Sequence, residues 1–224
     1  MDAIKLIEVK EDILADNDVA ARELRKKLKA QKTLMINLMA SPGAGKTSLL
    51  LQTISALKNV FRMAVIEADI DSTVDAEKIA KTGIESIQLR TGGFCHLDVA
   101  MVTKGLEAID TPSLDLIFIE NVGNLVCPAE FDTGAEKDIM ILSVPEGDDK
   151  PHKYPLMFTE SDVVLVNKID VLPYFDFSIS AFSKAVCGLN PSARILPVSA
   201  KSGEGLEAWF SWLENELKQK GGAT

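Results

Sequence analysis

The chain has 224 residues, of which 46% are hydrophobic and 25% charged, a composition that supports a sizeable core and excludes intrinsic disorder. The 24 basic and 33 acidic side chains give a net charge of −9, which disfavours a nucleic-acid partner because such partners need a basic face. There is no signal-peptide pattern and no run of about 18 apolar residues, as a membrane span requires. We therefore expect a cytoplasmic protein that binds no membrane and keeps its three cysteines reduced.

The first elements precede the functional motifs. Loosely alternating apolar side chains over residues 1–13 predict an extended or strand-like segment. Acidic and amide side chains at 16–18 can cap a helix that continues through Leu28. We expect residues 1–224 to form a single domain, with a helical lead over about 1–31 and a frayed tail over about 219–224.

A phosphate-binding loop is predicted at residues 40–47, which read Ala-Ser-Pro-Gly-Ala-Gly-Lys-Thr. The loop follows an apolar run at 34–39 and precedes a helix that reaches about Leu57, so its backbone N–H groups can surround an anion at a helix N-terminus. Lys46 would reach the outer phosphates, and the Thr47 hydroxyl would bind Mg²⁺. The pattern has glycine at its first position, where this chain has Ala40. The candidate nucleotide contacts are Gly43, Ala44, Gly45, Lys46, Thr47 and Ser48.

A second apolar strand, at 63–66, leads into a series of carboxylates. Asp69, Asp71 and Asp75 lie between this strand and a predicted helix that continues to Lys81. One of them could orient the attacking water or bind Mg²⁺, and helix capping is the alternative role. We predict functional roles for Asp69, as a Mg²⁺ ligand, and for Asp75, and leave Asp71 open.

Another carboxylate ends the predicted strand at 114–120, after a strand at 84–89 and a helix at 97–109. Glu120 can hold the hydration shell of Mg²⁺, and the Gly123 N–H can meet the γ-phosphate of a nucleotide. Most GTPases have aspartate at the position of Glu120. The sequence therefore predicts a catalytic Mg²⁺ site between this strand and the phosphate loop.

Two motifs follow the late strands predicted at 162–167 and 193–198. In the first, Asn167-Lys168-Ile169-Asp170, the carboxylate can accept both N–H groups on the edge of guanine, a pair that adenine does not offer. In the second, Ser199-Ala200-Lys201, the backbone can approach the guanine oxygen. The two motifs resemble the base-reading motifs of GTPases. Alternating strands and helices, with chemistry at the strand ends, predict an α/β fold whose mostly parallel sheet is flanked by helices, the P-loop GTPase fold.

Cysteine and histidine side chains form a second candidate constellation. Cys95 and His96 follow one strand, and Cys127 follows the strand that ends at Glu120. Two thiolates and an imidazole suit zinc, nickel or copper(I), but three ligands leave one position open unless a dimer pools its loops. On residue type alone, simple burial of the cysteines is the commoner arrangement. Cys187 is predicted to be a helix core residue, and Lys153 a surface charge or a phosphate contact.

Four segments together resemble the HypB family of nickel-insertion GTPases in hydrogenase maturation. They are residues 41–47, Val65-Ile66-Glu67-Ala68-Asp69, Thr91-Gly92-Gly93-Phe94-Cys95-His96-Leu97-Asp98 and Glu120-Asn121-Val122-Gly123-Asn124-Leu125-Val126-Cys127-Pro128. The resemblance implies GTP with Mg²⁺, and nickel or zinc held by Cys95, His96 and Cys127. It further implies a GTP-dependent homodimer that acts with a hydrogenase maturation partner and the hydrogenase large subunit. Residues 1–30 contain neither cysteine nor histidine, so we expect no nickel store there.

Three alternative functions remain open from the sequence. A related GTPase could serve another metalloenzyme such as urease, although urease partners carry a Cys-Pro-His motif where this chain has Cys95-His96. A small-molecule kinase could use the same phosphate loop, but it would have no use for residues 167–170. A nucleotide-gated switch or scaffold is compatible with the favoured function.

Overall fold

The computed structural model describes residues 9–69 and 74–221, and within them seven strands form one parallel sheet. The strands are β1 Leu34–Ala40, β2 Met63–Asp69, β3 Glu85–Arg90, β4 Leu116–Glu120, β5 Lys137–Ser143, β6 Val163–Asn167 and β7 Arg194–Pro197. The helices are α1 Val9–Gln31, α2 Lys46–Leu57, α3 Val74–Ala80, α4 Val99–Leu106, α5 Cys127–Glu130, α6 Lys150–Lys153, α7 Pro155–Thr159, α8 Ile179–Leu189 and α9 Leu206–Gln219. Short 3₁₀ turns cover Thr111–Ser113, Val144–Glu146 and Ile169–Tyr174.

The order of the strands creates a crevice above the centre of the sheet. The order is β3-β2-β4-β1-β5-β6-β7, so β1 lies between β4 and β5. Strands β2, β3 and β4 lie on one side of β1, and β5, β6 and β7 lie on the other. In such sheets, ligands bind where the strand order reverses, in the crevice outside the carboxyl ends of the strands. The predicted fold class, a mostly parallel sheet flanked by helices, is confirmed.

Strand β1 is buried on both faces, which explains its continuous apolar sequence. Leu34, Ile36 and Leu38 pack into a core that contains buried residues of α2 and α9. Met35 packs in a second core with residues of α1 and α4, and Met39 packs in a third with residues of α7 and α8. Helices on both sides of the sheet therefore hold the loop after β1 in place.

The predicted strand-like segment at 1–13 is wrong over residues 9–13, because α1 begins at Val9. Residues 1–8 lie outside the described residues. The side chain of Asn17, expected to cap the helix, lies within α1 and acts elsewhere: its Oδ1 accepts from Val99 N at 3.1 Å, and its Nδ2 donates to Asp132 O at 2.9 Å. No helix in the described ranges is long and apolar enough to cross a membrane.

The C-terminal segment is anchored further than the sequence predicts. Helix α9 ends at Gln219, and the next residue, Lys220, was expected to fray. Instead, Lys220 Nζ donates to the carbonyl of Thr33 at 2.9 Å and forms an ion pair with Glu136. Only 9% of the Lys220 side chain is exposed, so this pair fixes the end of the chain near the base of the sheet. Residues 222–224 lie outside the described ranges.

Candidate functional site

The phosphate loop connects β1 to α2 and has the backbone that such a loop needs. Gly43 and Gly45 have φ values of 78° and 103°, where a side chain would be strained, and a Cβ on Gly45 would also collide with the Asn167 amide. Helix α2 begins directly after Gly45, so its first N–H groups point into the loop. Ala40 needs no glycine: it is fully buried as the last residue of β1 and does not have a positive φ.

A cavity of about 560 Å³ opens beside this loop at the carboxyl ends of β2 and β4. It is lined by Gly43, Gly45, Lys46, Thr47, Ser48, Glu67, Asp69, Asp75, Glu120, Gly123 and Lys168, among others. The predicted loop and carboxylate residues are thus brought together. A larger cavity of about 670 Å³ lies between α1, α5 and α7, but it lacks a phosphate loop, so size does not identify the nucleotide site.

Buried carboxylates surround the cationic end of the loop. Thr47 Oγ1 donates to Glu120 Oε1 at 2.6 Å, whereas Glu120 Oε2 is buried without a hydrogen-bond partner. Glu67 lies opposite Glu120 in the β2–β4 register, and its Oε2 is also buried without such a partner. Burial raises the pKa of Glu120. Burial also lowers the pKa of Lys46, an effect that these carboxylates partly offset.

Glu67 is the functional candidate that sequence reasoning missed. Burial, and then the nearby charge of Glu120, raise the pKa of Glu67 to about 8. Glu67 is 3% exposed overall, but its carboxylate faces the cavity, so water moderates the cost of its charge. The sequence feature that could have indicated Glu67 is a charged residue directly after an apolar run. Its proximity to Glu120 follows only from the register between β2 and β4.

Asp69 and Asp75 flank the same cavity from two elements. Asp69 is the last residue of β2, and Asp75 lies in the first turn of α3. Asp75 pairs with Lys78 at 2.6 Å on a half-exposed helix surface. Asp71 lies outside the described residues.

The two motifs predicted to read the base, at 167–170 and 199–201, form a hydrogen-bond network against the phosphate loop. Asn167 Nδ2 donates to Ala44 O at 2.9 Å, and Asn167 Oδ1 accepts from Ala200 N at 3.0 Å. Asn167 is 1% exposed, so it joins the two loops from within.

The side chains that follow Asn167 extend this network. Lys168 has a left-handed backbone, with φ 63°, and its Nζ donates to Gly43 O at 2.7 Å. Ser199 Oγ donates to Asp170 Oδ1 at 2.6 Å, which orients the carboxylate. Lys201 is exposed on the same loop as Ser199.

The cysteine and histidine side chains also converge. Cys95 Sγ lies 2.9 Å from Cys127 Sγ and 4.0 Å from His96 Nδ1, and one ligand atom from each of the three residues lies within 4.8 Å of the others. His96 stacks on Phe131 with a centroid distance of 3.9 Å, which fixes the imidazole plane. The three side chains are only partly buried, so the cluster is open to a further ligand.

The surroundings of this cluster favour the neutral thiol of Cys127 and the neutral imidazole of His96. Contact with the Cys95 thiol and burial raise the pKa of Cys127, and burial lowers the pKa of His96. A neutral imidazole is ready to ligate, and a bound metal would displace the thiol proton. Residues that are adjacent in sequence are poorly suited to share one tetrahedral metal site. The ligand atoms of Cys95 and His96 nevertheless lie within 4.8 Å of each other and of Cys127.

Two other predictions from the sequence have different outcomes. Cys187 lies on α8 but is exposed, so the prediction of a core residue is wrong. The buried face of that helix consists of Phe182 and Val186 instead. Lys153 forms an ion pair with Asp149 at the end of α6, consistent with a surface charge.

A phosphate loop at the central strand and a Thr47–Glu120 pair define a P-loop nucleotide-binding protein of the NTPase class. Residues 34–197 match the family model described as CobW/HypB/UreG, nucleotide-binding domain. The hydrogenase maturation factor HypB of Azotobacter chroococcum is 44% identical over 212 residues, covering 95% of this chain and 70% of that protein. The chain therefore belongs to the CobW/HypB/UreG family, among the HypB hydrogenase maturation factors.

Two further relatives add structural and functional context. The crystal structure of HypB from Helicobacter pylori in complex with nickel superposes with a TM-score of 0.86 at 35% identity, covering 93% of this chain and 98% of that one. The hydrogenase/urease maturation factor HypB of Helicobacter hepaticus is 40% identical over 219 residues, covering 96% of this chain and 90% of the relative. The resemblance found in the sequence is confirmed.

Proposed function

We propose that this protein hydrolyses GTP and uses its nucleotide state to control the delivery of nickel to [NiFe] hydrogenase during maturation. One observation carries the proposal: the segment from Glu120 to Cys127 begins at the phosphate loop and ends at the thiol cluster. A change at the γ-phosphate position can therefore reach a metal ligand within one short loop. Family membership and the nickel complex of the H. pylori relative support it.

On the nucleotide side, the proposed contacts divide by the part of GTP that they meet. The N–H groups of Gly43 to Ser48 and the Lys46 ammonium bind phosphates, and the Gly123 N–H meets the γ-phosphate. Asp170 reads the guanine edge, assisted by the backbone of Ser199, Ala200 and Lys201. Asn167 and Lys168 hold the loops in register. Catalysis is then electrostatic, because these groups stabilise charge that develops on the leaving phosphate.

The residues beside Thr47 fit a Mg²⁺ ion, because hard cations prefer oxygen ligands and two buried carboxylate oxygens here lack hydrogen-bond partners. Thr47, Glu120 and Asp69 would hold the ion or its hydration shell, and we add Glu67 to this group. The ion would supply charge neutralisation between the β- and γ-phosphates. We also propose that Asp75, which pairs with Lys78, orients the attacking water.

On the metal side, Cys95, His96 and Cys127 bind the cargo. Nickel and zinc both accept two thiolates and an imidazole, and three ligands from one chain leave a position for exchange. We further propose that GTP brings two chains together at this face and that a maturation partner and the hydrogenase large subunit receive the metal. A cytoplasmic setting accords with ligands that act as reduced thiols.

The decisive experiment is a nickel titration with and without a non-hydrolysable GTP analogue, followed by light scattering for molecular mass. We expect metal affinity to differ between nucleotide states and the mass to double with the analogue. Cys127→Ala should weaken nickel binding at least about 10-fold, with Cys187→Ala, an exposed cysteine on α8, as the matched control. Equal nickel affinity in wild type and Cys127→Ala would return the cluster to a structural role.

Urease maturation is a second candidate function, favoured by the name of the H. hepaticus relative. The same cargo chemistry would serve both target enzymes. Nickel-loaded protein should be offered separately to apo-hydrogenase large subunit and to apo-urease, each with its own maturation partners. Activation of urease alone would overturn the hydrogenase assignment and leave the GTPase and nickel roles intact.

A further inference from the structure

Two asparagines occupy the connection between the phosphate loop and the thiol cluster, and neither has a role in the nucleotide or metal contacts described above. Asn121 and Asn124 lie in the segment that follows β4. The segment runs beside the end of β1: Asn121 N donates to Leu38 O at 3.1 Å, and Asn124 N donates to Ala40 O at 2.9 Å. It is therefore fixed to the strand that carries the phosphate loop.

Contact with the phosphate loop is tight between these asparagines. A Cβ on Gly123 would lie 3.0 Å from Pro42 N and 3.1 Å from Pro42 Cα, closer than nearly all real Cβ contacts. Gly123 does not have a positive φ, so close approach rather than backbone conformation explains the glycine. A displacement of the loop at Pro42 must therefore move this segment.

The Asn124 side chain transmits that position to a metal ligand. Its Oδ1 accepts from Val126 N at 2.8 Å, which folds the turn before α5. Val126 directly precedes Cys127, so this bond fixes the backbone at the entrance to the Cys127 ligand position. Asn124 thus joins Ala40, through its backbone N–H, to the residue next to Cys127.

Asn121 performs the corresponding task for the other ligand loop. It is fully buried, its Oδ1 accepts from Leu97 N at 3.3 Å, and its Nδ2 donates to Asn37 Oδ1 at 3.1 Å. Leu97 directly follows His96. The Cys95–His96 loop is thereby attached to the same segment that holds Cys127, and to β1 through Asn37.

We propose that Asn121 and Asn124 are positioning residues that couple the nucleotide state to the geometry of the Cys95/His96/Cys127 cluster. This inference rests on the proposed function, since it needs both a nucleotide and a metal. In it, a nucleotide contact at Gly123 changes the position of Asn124, and the hydrogen bond from Val126 N to Asn124 Oδ1 passes that change to Cys127 and its distance from Cys95. Asn121 holds the Cys95–His96 loop against β1. A movement of Cys127 therefore changes the distance between the Cys95 and Cys127 sulfurs.

The test measures a coupling ratio, the nickel Kd with GDP divided by the nickel Kd with a non-hydrolysable GTP analogue. The ratio is determined for wild type and for Asn124→Ala, together with thiolate-to-nickel charge-transfer absorption. Wild type should show a ratio at least about 5-fold from unity. Asn124→Ala should bring the ratio within about 2-fold of unity and should remove the nucleotide-dependent change in the absorption band, which lost stability alone would not do.

Two further variants separate coupling from folding. Asn190→Ala is the matched control, because Asn190 donates to three carbonyls at and after α7 that belong to neither site, and its loss should leave the wild-type ratio. Asn124→Asp keeps an acceptor for Val126 N, so it should keep the turn and restore the coupling that Asn124→Ala loses. Loss of coupling in Asn190→Ala as well would overturn the proposal.

The outcomes also distinguish this inference from the proposed function. A wild-type ratio well away from unity that persists in Asn124→Ala would overturn the inference alone. Nickel binding that is unaffected by Cys127→Ala would overturn the proposed metal site and the inference with it. A wild-type ratio of unity would overturn the inference and the nucleotide control of delivery, while leaving metal binding in place.

Discussion

The two sides of the nucleotide cavity differ in how completely the protein satisfies its own polar groups. On the base-reading side, Asn167 and Asp170 are already hydrogen-bonded to the loops that they align. On the cation side, Glu67 and Glu120 each have a buried oxygen without a hydrogen-bond partner. The first side is hydrogen-bonded within the protein itself, whereas the second keeps buried carboxylate oxygens that the cation proposed above would satisfy.

This difference indicates a division of labour. A rigid network discriminates between bases because a wrong base leaves buried polar groups unpaired. Clustered carboxylates instead make binding depend on a cation and change their environment when phosphate leaves. We therefore expect substitutions on the base-reading side to alter specificity and stability, and substitutions on the cation side to alter turnover and pH dependence.

The largest expected effect is on the cation side, at Lys46. Lys46→Ala removes the buried ammonium that lies among Glu120, Asp75 and Glu67, so phosphate charge and carboxylate charge are no longer offset. GTP turnover, measured as phosphate release, should fall at least about 100-fold. Lys58→Ala, at the other end of α2, is the matched control and should turn over normally. Turnover retained in a folded Lys46→Ala protein would contradict the phosphate-loop assignment.

The next effect tests the base-reading side through Asp170. Asp170→Asn replaces an acceptor with a donor, so guanine loses its paired contact and xanthine gains one. Affinity for GTP should fall about 100-fold or more, and xanthosine triphosphate should become the preferred ligand in competition binding. Ser199→Ala, which removes only the hydroxyl that orients the carboxylate, should weaken GTP binding less and keep the base preference. An unchanged guanine preference in Asp170→Asn would remove Asp170 from base recognition.

A smaller effect, on stability, tests whether the base-reading network exists without ligand. Asn167→Ala leaves the buried groups Ala44 O and Ala200 N without their partner, which costs about 3 kcal/mol. The melting temperature of the nucleotide-free protein should fall by roughly 6–12 °C. Equal melting temperatures for wild type and Asn167→Ala would show that the network forms only with nucleotide.

Sequence reasoning captured what is local and missed what depends on register. The order strand, glycine turn, helix is contiguous, so the phosphate loop at 40–47 could be predicted directly, and so could the motif at 167–170. The importance of Glu67 depends on pairing between β2 and β4, which apolar runs do not specify. Convergence of Cys95 with Cys127 likewise depends on two loops brought together by the sheet, and in the sequence only the family resemblance favoured it.

The errors have the same origin. Alternating apolar residues at the N-terminus predicted an extended segment, but the described chain from Val9 onward forms α1, which packs Ala21, Leu24 and Leu28 against the sheet at helical spacing. Cys187 was placed in the core because its neighbours are apolar, although the helix turns it outward. Correct predictions for α1 and for Cys187 would have required knowing which surface of the protein packs against each helix. The single-domain assignment stays a prediction.

The smallest expected effect concerns Glu67 on the cation side, and it is a pH dependence of the free energy of unfolding. The pKa of Glu67 is raised to about 8 in the folded protein, from 4.5 for an unperturbed glutamate, chiefly by burial. Between these two values the folded state binds more protons than the unfolded state, so the free energy of unfolding falls as pH rises. Glu67 alone can contribute a slope of up to about 1.4 kcal/mol per pH unit in this window.

Glu67→Gln should remove that contribution because an amide stays neutral at every pH. Urea unfolding of the Mg²⁺-free and nucleotide-free protein should show equal stability of wild type and variant near pH 4.5, and a gain of about 1–2 kcal/mol for the variant at pH 8, since cavity water moderates the full shift. Asp138, whose pKa is raised to about 7, adds the same slope to both proteins and cancels in the difference. The exposed Glu85, changed to Gln, should leave the profile unaltered. If Glu67→Gln has no advantage at pH 8, the carboxylate is stabilised as an anion without a cation, and the contrast between the two sides of the cavity fails.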